Sequence, residues 1–200
     1  MRLAVAGLLL ALVAAAPARA ADDPLGALRA SCQPQHGVRI CAGKVPSFDG
    51  TLLDATLTLP ATLPRKRSLP LVVFLHGLLA DKGEYLSETR GGVGEDRGAN
   101  AYKTIRWNNV WFASRGYAVL NYSARGHGGS DGQIELASKH VEVRDARRLI
   151  GLVVDDRRLA RVNPKKVGVI GSSYGGGQAW LLMTTREDDA LQYGTWRSPG

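Results

Sequence analysis

Glycine and serine residues at positions 171–175 have the types and spacing needed to present a serine hydroxyl as a nucleophile. The sequence there reads Gly171-Ser172-Ser173-Tyr174-Gly175. A β-branched apolar run at 166–170 precedes it and a helix-forming segment at 176–185 follows, so the predicted order is strand, sharp turn and helix. A serine at the apex of such a turn is exposed to substrate, and a nearby base can activate it. The pattern therefore predicts acyl transfer through a covalent serine intermediate.

The spacing of the glycines selects one of the two serines. Residues two before and two after the apex pass close together, so only small side chains fit there. Gly171 and Gly175 hold those positions for Ser173, whereas Ser172 would have Ile170 and Tyr174. We therefore predict Ser173 as the nucleophile. The alternative is a phosphate-binding turn, but no Walker lysine follows and the glycine spacing is not G-x-G-x-x-G.

Regular strands and helices must bring this turn together with its partners. Apolar runs at 69–75 and 117–122 predict buried strands, and apolar residues at helical spacing predict helices at 102–115 and 139–154. With the strand and helix around Ser173, these segments form a βαβ series. They predict an α/β fold with a mostly parallel sheet and flanking helices.

The segments outside this series are predicted to be less regular. Residues 45–59 alternate in polarity around Asp49-Gly50, which predicts an N-terminal antiparallel β-hairpin. Residues 21–45 are predicted to be loop-rich, and residues 80–102 to form a long surface loop. The functional edge of such a sheet lies at the carboxyl ends of its parallel strands. Three loops should converge there, at 76–81, 123–132 and 171–175.

The first 20 residues have the pattern of a cleaved export signal. Arg2 supplies a positive start, residues 3–15 are apolar, and Ala18-Arg19-Ala20 is an A-x-A cleavage site. The apolar run is shorter than a transmembrane helix requires. No cysteine follows the cleavage point, so a lipoprotein anchor is not indicated either, and we expect no stable membrane anchor. The expected mature chain, 21–200, is secreted or periplasmic and contains one domain.

Cys32 and Cys41 are the only cysteines of the chain. In an oxidising compartment two cysteines this close together are expected to pair. Such a bridge would stabilise the fold by roughly 2.5–3 kcal/mol in the chain-entropy treatment. A zinc site that uses His36 between them would lack a fourth ligand. We predict a structural disulfide and no bound metal.

The positive charge of the chain is scattered. The net charge is +8, and it falls to +6 (8 − 2) once Arg2 and Arg19 leave with the signal. Arg144 and Asp145 are expected to pair locally on an exposed helix face. The one dense basic run, Arg65-Lys66-Arg67, reads as a solvated turn, and no basic stripe is interleaved with aromatic residues. This excludes a nucleic-acid partner, and no organic cofactor is implied.

Three segments resemble the α/β-hydrolases, and more narrowly the X-Pro dipeptidyl-peptidase and cocaine-esterase group. They are Phe74-Leu75-His76-Gly77, Arg125-Gly126-His127-Gly128-Gly129-Ser130-Asp131-Gly132 and Ser173-Tyr174-Gly175-Gly176-Gly177. The second is similar to that group's R-G-x-G-x-S-x-G, and the resemblance covers roughly residues 45–190. It implies a serine hydrolase that acts on peptide or ester acyl bonds. An acyl esterase or lipase-like hydrolase and a catalytically inactive binding module are the alternatives.

The resemblance also implies an oxyanion site made of two backbone N–H groups. One belongs to Tyr174, at the positive end of the predicted helix. The other follows His76-Gly77 and is assigned to Leu78, because a His-Gly-Leu-Leu loop looks like the backbone-amide sites of esterases and lipases. Members of the group that use a tyrosine hydroxyl carry it in this loop. The chain also departs from the group in having no acid just before Arg125.

The general base is missing from the predicted site. The histidines are His36, His76, His127 and His140, and all precede Ser173, whereas the acid and histidine of α/β-hydrolases follow the nucleophile. His76 is expected to orient the oxyanion loop and His127 to bond to backbone, with a role as base left open for both. His36 and His140 are expected at the surface. We therefore expect an N-terminal part of a longer hydrolase, inactive alone, with the strand before Ser173 at the sheet edge.

Overall fold

The computed structural model of the chain describes residues 23–86 and 107–185. The predicted export signal lies outside the described residues. So do most of the predicted surface loop at 80–102 and the first turn of the helix predicted at 102–115.

The described fold contains four α-helices, one 3-10 helix and six strands. In chain order these are α1 (Gly26–Ala30), β1 (Gln33–Gln35), β2 (Val38–Pro46), β3 (Leu52–Pro60), β4 (Leu69–Leu75), the 3-10 helix Lys82–Tyr85, α2 (Asn109–Ala113), β5 (Ala118–Tyr122), α3 (Glu142–Asp155), β6 (Val162–Gly171) and α4 (Ser173–Thr184).

The strands form one mixed sheet in the order β1-β2-β3-β5-β4-β6. The first four of these pair antiparallel, and β4 lies parallel to both β5 and β6. Leu75 pairs with Tyr122 on one side and Gly171 on the other, so the three parallel strands end side by side. This confirms the predicted α/β fold with an N-terminal antiparallel hairpin, and the described sheet is mixed rather than mostly parallel, with three antiparallel and two parallel pairings.

Alternate residues of the central strands enter two apolar cores, one on each face of the sheet. On β4, Leu71 and Val73 belong to the larger core, which α1, α3 and α4 cover. Val72 and Phe74 belong to the smaller core, which includes residues of α2 and of the 3-10 helix. Burial on both faces explains why β4 reads as a continuous apolar run.

The N-terminal segment is more regular than predicted. Residues 21–45 were expected to be loop-rich, but they contain α1, β1 and most of β2. Leu28 of α1 and Val38 of β2 are both buried in the apolar cores. Tertiary packing rather than local propensity therefore sets its structure.

A disulfide joins Cys32 and Cys41, as predicted. It ties the residues after α1 to β2, and Cys41 is completely buried in the larger core. Next to it, the backbone N–H of Ala42 donates to the hydroxyl of Ser31 at 2.8 Å. Among the described residues, no helix has the length and hydropathy needed to cross a membrane.

β6 begins earlier than predicted. The Asn163-Pro164 pair was expected to be a turn before a strand at 166–170, but β6 starts at Val162. The register with β4 jumps from Leu69↔Val162 to Leu71↔Val167, so the proline lies in a strand irregularity where no ladder hydrogen bond is needed from it. In the described part of the chain, β6 pairs with β4 alone and forms one edge of the sheet.

Candidate active site

Ser173 occupies a strained position between β6 and α4. It is the first residue of α4, it is exposed, and its φ of 50° lies in the left-handed region that residues with a Cβ seldom adopt. Such backbone costs about 1–3 kcal/mol and persists where the surrounding structure imposes it. Strand, strained serine and helix follow one another here as the glycine pattern predicted.

Close packing of Gly171 and Gly175 imposes that geometry. A Cβ on Gly171 would lie 2.5 Å from the carbonyl carbon and oxygen of Gly175. A Cβ on Gly175 would lie 2.1 Å from the carbonyl oxygen of Leu75 and 2.7 Å from that of His76. The first turn of α4 therefore packs directly on the end of β4, which places the loop after β4 beside Ser173.

The two predicted oxyanion donors belong to these adjoining segments. The backbone N–H of Tyr174 lies in the first turn of α4, where N–H groups have no acceptor within the helix. Leu78 follows Gly77 in the loop after β4, and the residue is 43% exposed. The positive end of α4 adds to the electrostatic attraction for an anion near Ser173.

Glu84 and Tyr85 connect the same segments, and the sequence did not reveal them. The backbone N–H of Gly77 donates to Oε2 of Glu84 at 2.6 Å, and the hydroxyl of Ser172 donates to Oε1 at 3.4 Å. The hydroxyl of Tyr85 donates to Ser172 Oγ at 3.2 Å. Both residues are buried, although they lie in the segment predicted to be a surface loop. Asp81, which caps the 3-10 helix, could have indicated a helical turn here, but no local signal indicates the partners of Glu84 and Tyr85.

His76 is held on both ring nitrogens. Nδ1 lies 2.7 Å from the carbonyl oxygen of Gly77, and Nε2 accepts the backbone N–H of Ala124 at 2.8 Å. This pattern fits a neutral ring with the proton on Nδ1, and burial lowers the pKa of His76 to about 4. The ring therefore links the loops after β4 and β5, in agreement with the expected orienting role.

His127 is also buried, at 5% exposure, in the loop after β5. Its Nδ1 lies 3.1 Å from the carbonyl oxygen of Arg125, which matches the predicted bond to backbone. Its ring packs against those of His76 and Tyr174, with centroid separations of 4.9 Å and 5.5 Å. Among residues 23–86 and 107–185, which include all four histidines, no hydrogen bond joins a histidine to Ser173.

Arg125 and Asp145 form a buried, two-point ion pair. Nε and Nη2 of Arg125 donate to the two carboxylate oxygens of Asp145, each at 2.7 Å. Asp49 accepts from Nη1 at 3.0 Å, and Ser47 also donates to Asp145. Burial raises the pKa of Asp145, while the hydrogen bonds from Arg125 and Ser47 oppose that shift.

The expectation for Asp145 was wrong, because this side chain is completely buried rather than exposed on a helix face. It does not pair locally with Arg144, whose guanidinium lies instead 3.6 Å from the centre of the Phe48 ring. Asp145 lies on the face of α3 that packs on the sheet, where the side chain of Arg125 reaches it. The sequence pattern did not indicate that Asp145 pairs with Arg125, which lies 20 residues before it.

The side chain of Tyr174 reaches the start of α3, while its backbone N–H is the predicted oxyanion donor. Its hydroxyl donates to Oε1 of Glu142 at 2.9 Å, and burial raises the pKa of Tyr174. The buried Glu142 also accepts the backbone N–H groups of Glu135 and Ser138. The turn at residues 171–175, which we call the elbow, is thus tied to the start of α3. His36 and His140 are exposed, as expected.

The sequence matches the family described as X-Pro dipeptidyl-peptidase (S15 family) over residues 49–192. No curated protein sequence matches the chain. Among solved structures it is similar to the α/β hydrolase GrgF from Penicillium sp. sh18, with 18% identity, a TM-score of 0.50, and coverage of 73% of this chain and 42% of that one.

Two further solved structures are similar to this chain. A hypothetical protein from Pseudomonas aeruginosa has 21% identity and a TM-score of 0.50, over 80% of this chain and 42% of that one. A CocE/NonD family hydrolase from Staphylococcus aureus has 20% identity and a TM-score of 0.49, over 72% of this chain and 24% of that one. The chain thus spans less than half the length of these structures.

The strand order, the parallel strand ends and the turn at Ser173 define an α/β-hydrolase fold. The chain belongs to the S15 family of X-Pro dipeptidyl-peptidases, since the family match covers more than half of its length.

Proposed function

We propose that this chain supplies the nucleophile and the oxyanion site of an exported serine hydrolase that cleaves peptide or ester acyl bonds. The observation that carries the proposal is the exposed Ser173 with its φ of 50°, which is held at the start of α4 by two glycines in close contact. Strain of this kind at an exposed serine is a feature of activated nucleophiles.

In the proposed reaction the hydroxyl oxygen of Ser173 attacks the acyl carbonyl. The charge that develops on the carbonyl oxygen is stabilised by the backbone N–H groups of Leu78 and Tyr174. A general base takes the serine proton and returns it to the leaving amine or alcohol, and water then releases the acyl group. His76 is unsuited to this role, because both of its ring nitrogens are engaged with backbone.

The base is proposed to be a histidine of the full-length protein that follows Ser173, in the chain order of this fold. The preferred substrate class is a peptide with proline next to the scissile bond, which rests on the family alone. An acyl ester is the second candidate, because the same two backbone N–H groups would stabilise the oxyanion that forms when Ser173 attacks an ester.

Kinetics on the full-length product of the reading frame that contains this chain test the proposal. We expect hydrolysis of Ala-Pro-p-nitroanilide, and loss of that activity in Ser173→Ala. Ser114→Ala, an exposed serine outside the site, is the matched control and should leave the rate unchanged. Cleavage of p-nitrophenyl acetate but not of the anilide would support the esterase. A Ser173→Ala variant as active as the wild type would refute the proposal.

Export is proposed from the pattern of residues 1–20 and is supported by the disulfide, since disulfides persist in oxidising compartments. N-terminal sequencing of the mature protein from its native host should begin near Ala21. A protein that retains Met1 and remains in the cytoplasmic fraction would contradict this part of the proposal.

A further inference from the structure

Glu84 is a buried carboxylate that contacts both backbone segments of the proposed oxyanion site. It is 4% exposed and lies in the 3-10 helix after β4. One oxygen accepts the N–H of Gly77 at 2.6 Å, and the other accepts the hydroxyl of Ser172 at 3.4 Å. Leu78 follows the first of these residues and Ser173 follows the second, so one side chain spans the gap between the loop after β4 and the elbow.

The segment that carries Glu84 is itself fixed. Asp81 Oδ1 accepts the N–H of Gly83 at 2.7 Å, and the N–H of Lys82 donates to the hydroxyl of Ser123 at 3.1 Å. The ring of Tyr85 stacks on that of Phe74, with centroids 4.7 Å apart. Because its own backbone cannot easily move, the carboxylate can hold other groups in place.

Burying a carboxylate is costly unless hydrogen bonds compensate for it. A negative charge beside an oxyanion site also opposes the charge that develops there. Simple electrostatics therefore gives no reason for an acid at this position. The length of the side chain does explain a glutamate here, because one carboxylate oxygen can bond to each of the two segments.

We infer that Glu84 is a positioning residue that sets the separation of the two oxyanion donors. It acts through Gly77 and Ser172 and does not contact the substrate. The inference rests on the proposed function, since it presumes that Leu78 and Tyr174 are the donors. Oxyanion stabilisation depends on donors about 2.7–3.1 Å from the developing charge, so a shift of either segment lowers kcat more than it raises KM.

Two conservative variants of the full-length protein separate reach from charge. Glu84→Gln keeps the length and an acceptor oxygen while removing the charge, and we expect kcat within about threefold of wild type. Glu84→Asp keeps the charge but is one methylene shorter, and we expect kcat to fall by about 10- to 100-fold with KM changed less than about threefold, because small misplacements near the reacting atoms have large effects.

Asp156→Asn is the matched control. Its carboxylate is also buried but pairs with Arg29 beyond the far end of α3, and its kcat should stay within about twofold of wild type.

Three results would overturn the inference while Ser173→Ala remains inactive. They are a Glu84→Asp variant with wild-type kcat, a Glu84→Gln variant as impaired as Glu84→Asp, and a loss of kcat that only parallels a loss of folded protein in both variants. An active Ser173→Ala variant overturns the proposed function itself, and the inference with it. Either outcome can be read from the same set of proteins.

Discussion

Gly171 and Gly175 are packed so closely that a methyl group on the first would lie 2.5 Å from the carbonyl of the second. The serine between them has no room to relax its backbone, so its hydroxyl stays at the apex of the turn. This contact links the glycine spacing in the sequence to the exposed, strained serine in the structure.

The most direct consequence concerns Gly175. In Gly175→Ala the added Cβ would lie 2.1 Å from the carbonyl oxygen of Leu75, which is backbone and cannot move away easily. We expect the free energy of unfolding to fall by about 1–3 kcal/mol or more and hydrolysis to fall at least ~10-fold. Chemical denaturation and steady-state kinetics measure these two effects.

The matched control lies two residues further along α4. A Cβ on Gly177 would meet no heavy atom within 4 Å, so Gly177→Ala should raise the free energy of unfolding by about 0.5–1 kcal/mol through helix propensity. Equal effects of the two substitutions would show that crowding at the elbow is not what constrains Ser173.

Relief of backbone strain should separate stability from activity at Ser173. A φ of 50° destabilises the folded state for any residue that has a Cβ, whereas glycine adopts this angle without that cost. Ser173→Gly should therefore be more stable than Ser173→Ala by about 1 kcal/mol, and both variants should be inactive. Thermal or chemical denaturation of the two proteins tests this, and an alanine variant at least as stable as the glycine variant would speak against strain.

The buried His76 predicts a specific dependence of stability on pH. Burial lowers its pKa from 6.5 to about 4. Between these values the unfolded chain binds a proton that the folded chain does not bind. The free energy of unfolding should therefore decrease as the pH falls from 6.5 to 4, with a contribution of about 3 kcal/mol from this residue.

His76→Gln keeps an acceptor for the N–H of Ala124 but cannot titrate. Denaturant unfolding of wild type and variant between pH 4 and pH 7 gives the comparison. The stability advantage of the wild type at pH 7 should shrink by about 3 kcal/mol at pH 4. Curves that run parallel over this range would mean that His76 takes up its proton equally in both states.

The buried pair of Arg125 and Asp145 should be much more sensitive to substitution than a surface pair. Arg125→Met leaves a buried carboxylate without its cation, and we expect a loss of about 3–5 kcal/mol in the free energy of unfolding. Adding Asp145→Asn should recover part of that loss, because it removes the uncompensated charge.

Lys44 and Asp131 provide the surface comparison, since their side chains are 41% and 56% exposed. Lys44→Met should cost no more than about 1 kcal/mol. Similar losses for Lys44→Met and Arg125→Met, measured by denaturation under the same conditions, would argue against burial as the source of the difference.

The fold followed from the sequence where one physical signal dominated. The bounds of β4, for instance, are those of its apolar run, because a strand buried on both faces excludes polar residues. The turn at Ser173 was predictable because only glycines fit around it. The start of β6 was not, because Pro164 usually marks a turn and here lies in a strand irregularity set by pairing with β4.

The supporting contacts of the candidate site depend on tertiary structure and were missed. Glu84 looks like a surface residue in a polar segment, and nothing local indicates that its carboxylate reaches Gly77 and Ser172. Asp145 was assigned to the wrong face of its helix for the same reason. Charged residues carry little local information about burial, since their burial depends on partners distant in sequence.

An activated nucleophile at Ser173 should react covalently with a probe for serine hydrolases. The full-length protein is treated with a fluorophosphonate probe, digested, and analysed by mass spectrometry to locate the modified residue. We predict a single adduct on Ser173, formed faster than any reaction with the unfolded protein. Modification of Ser172 instead, or no modification of the folded protein, would contradict the account.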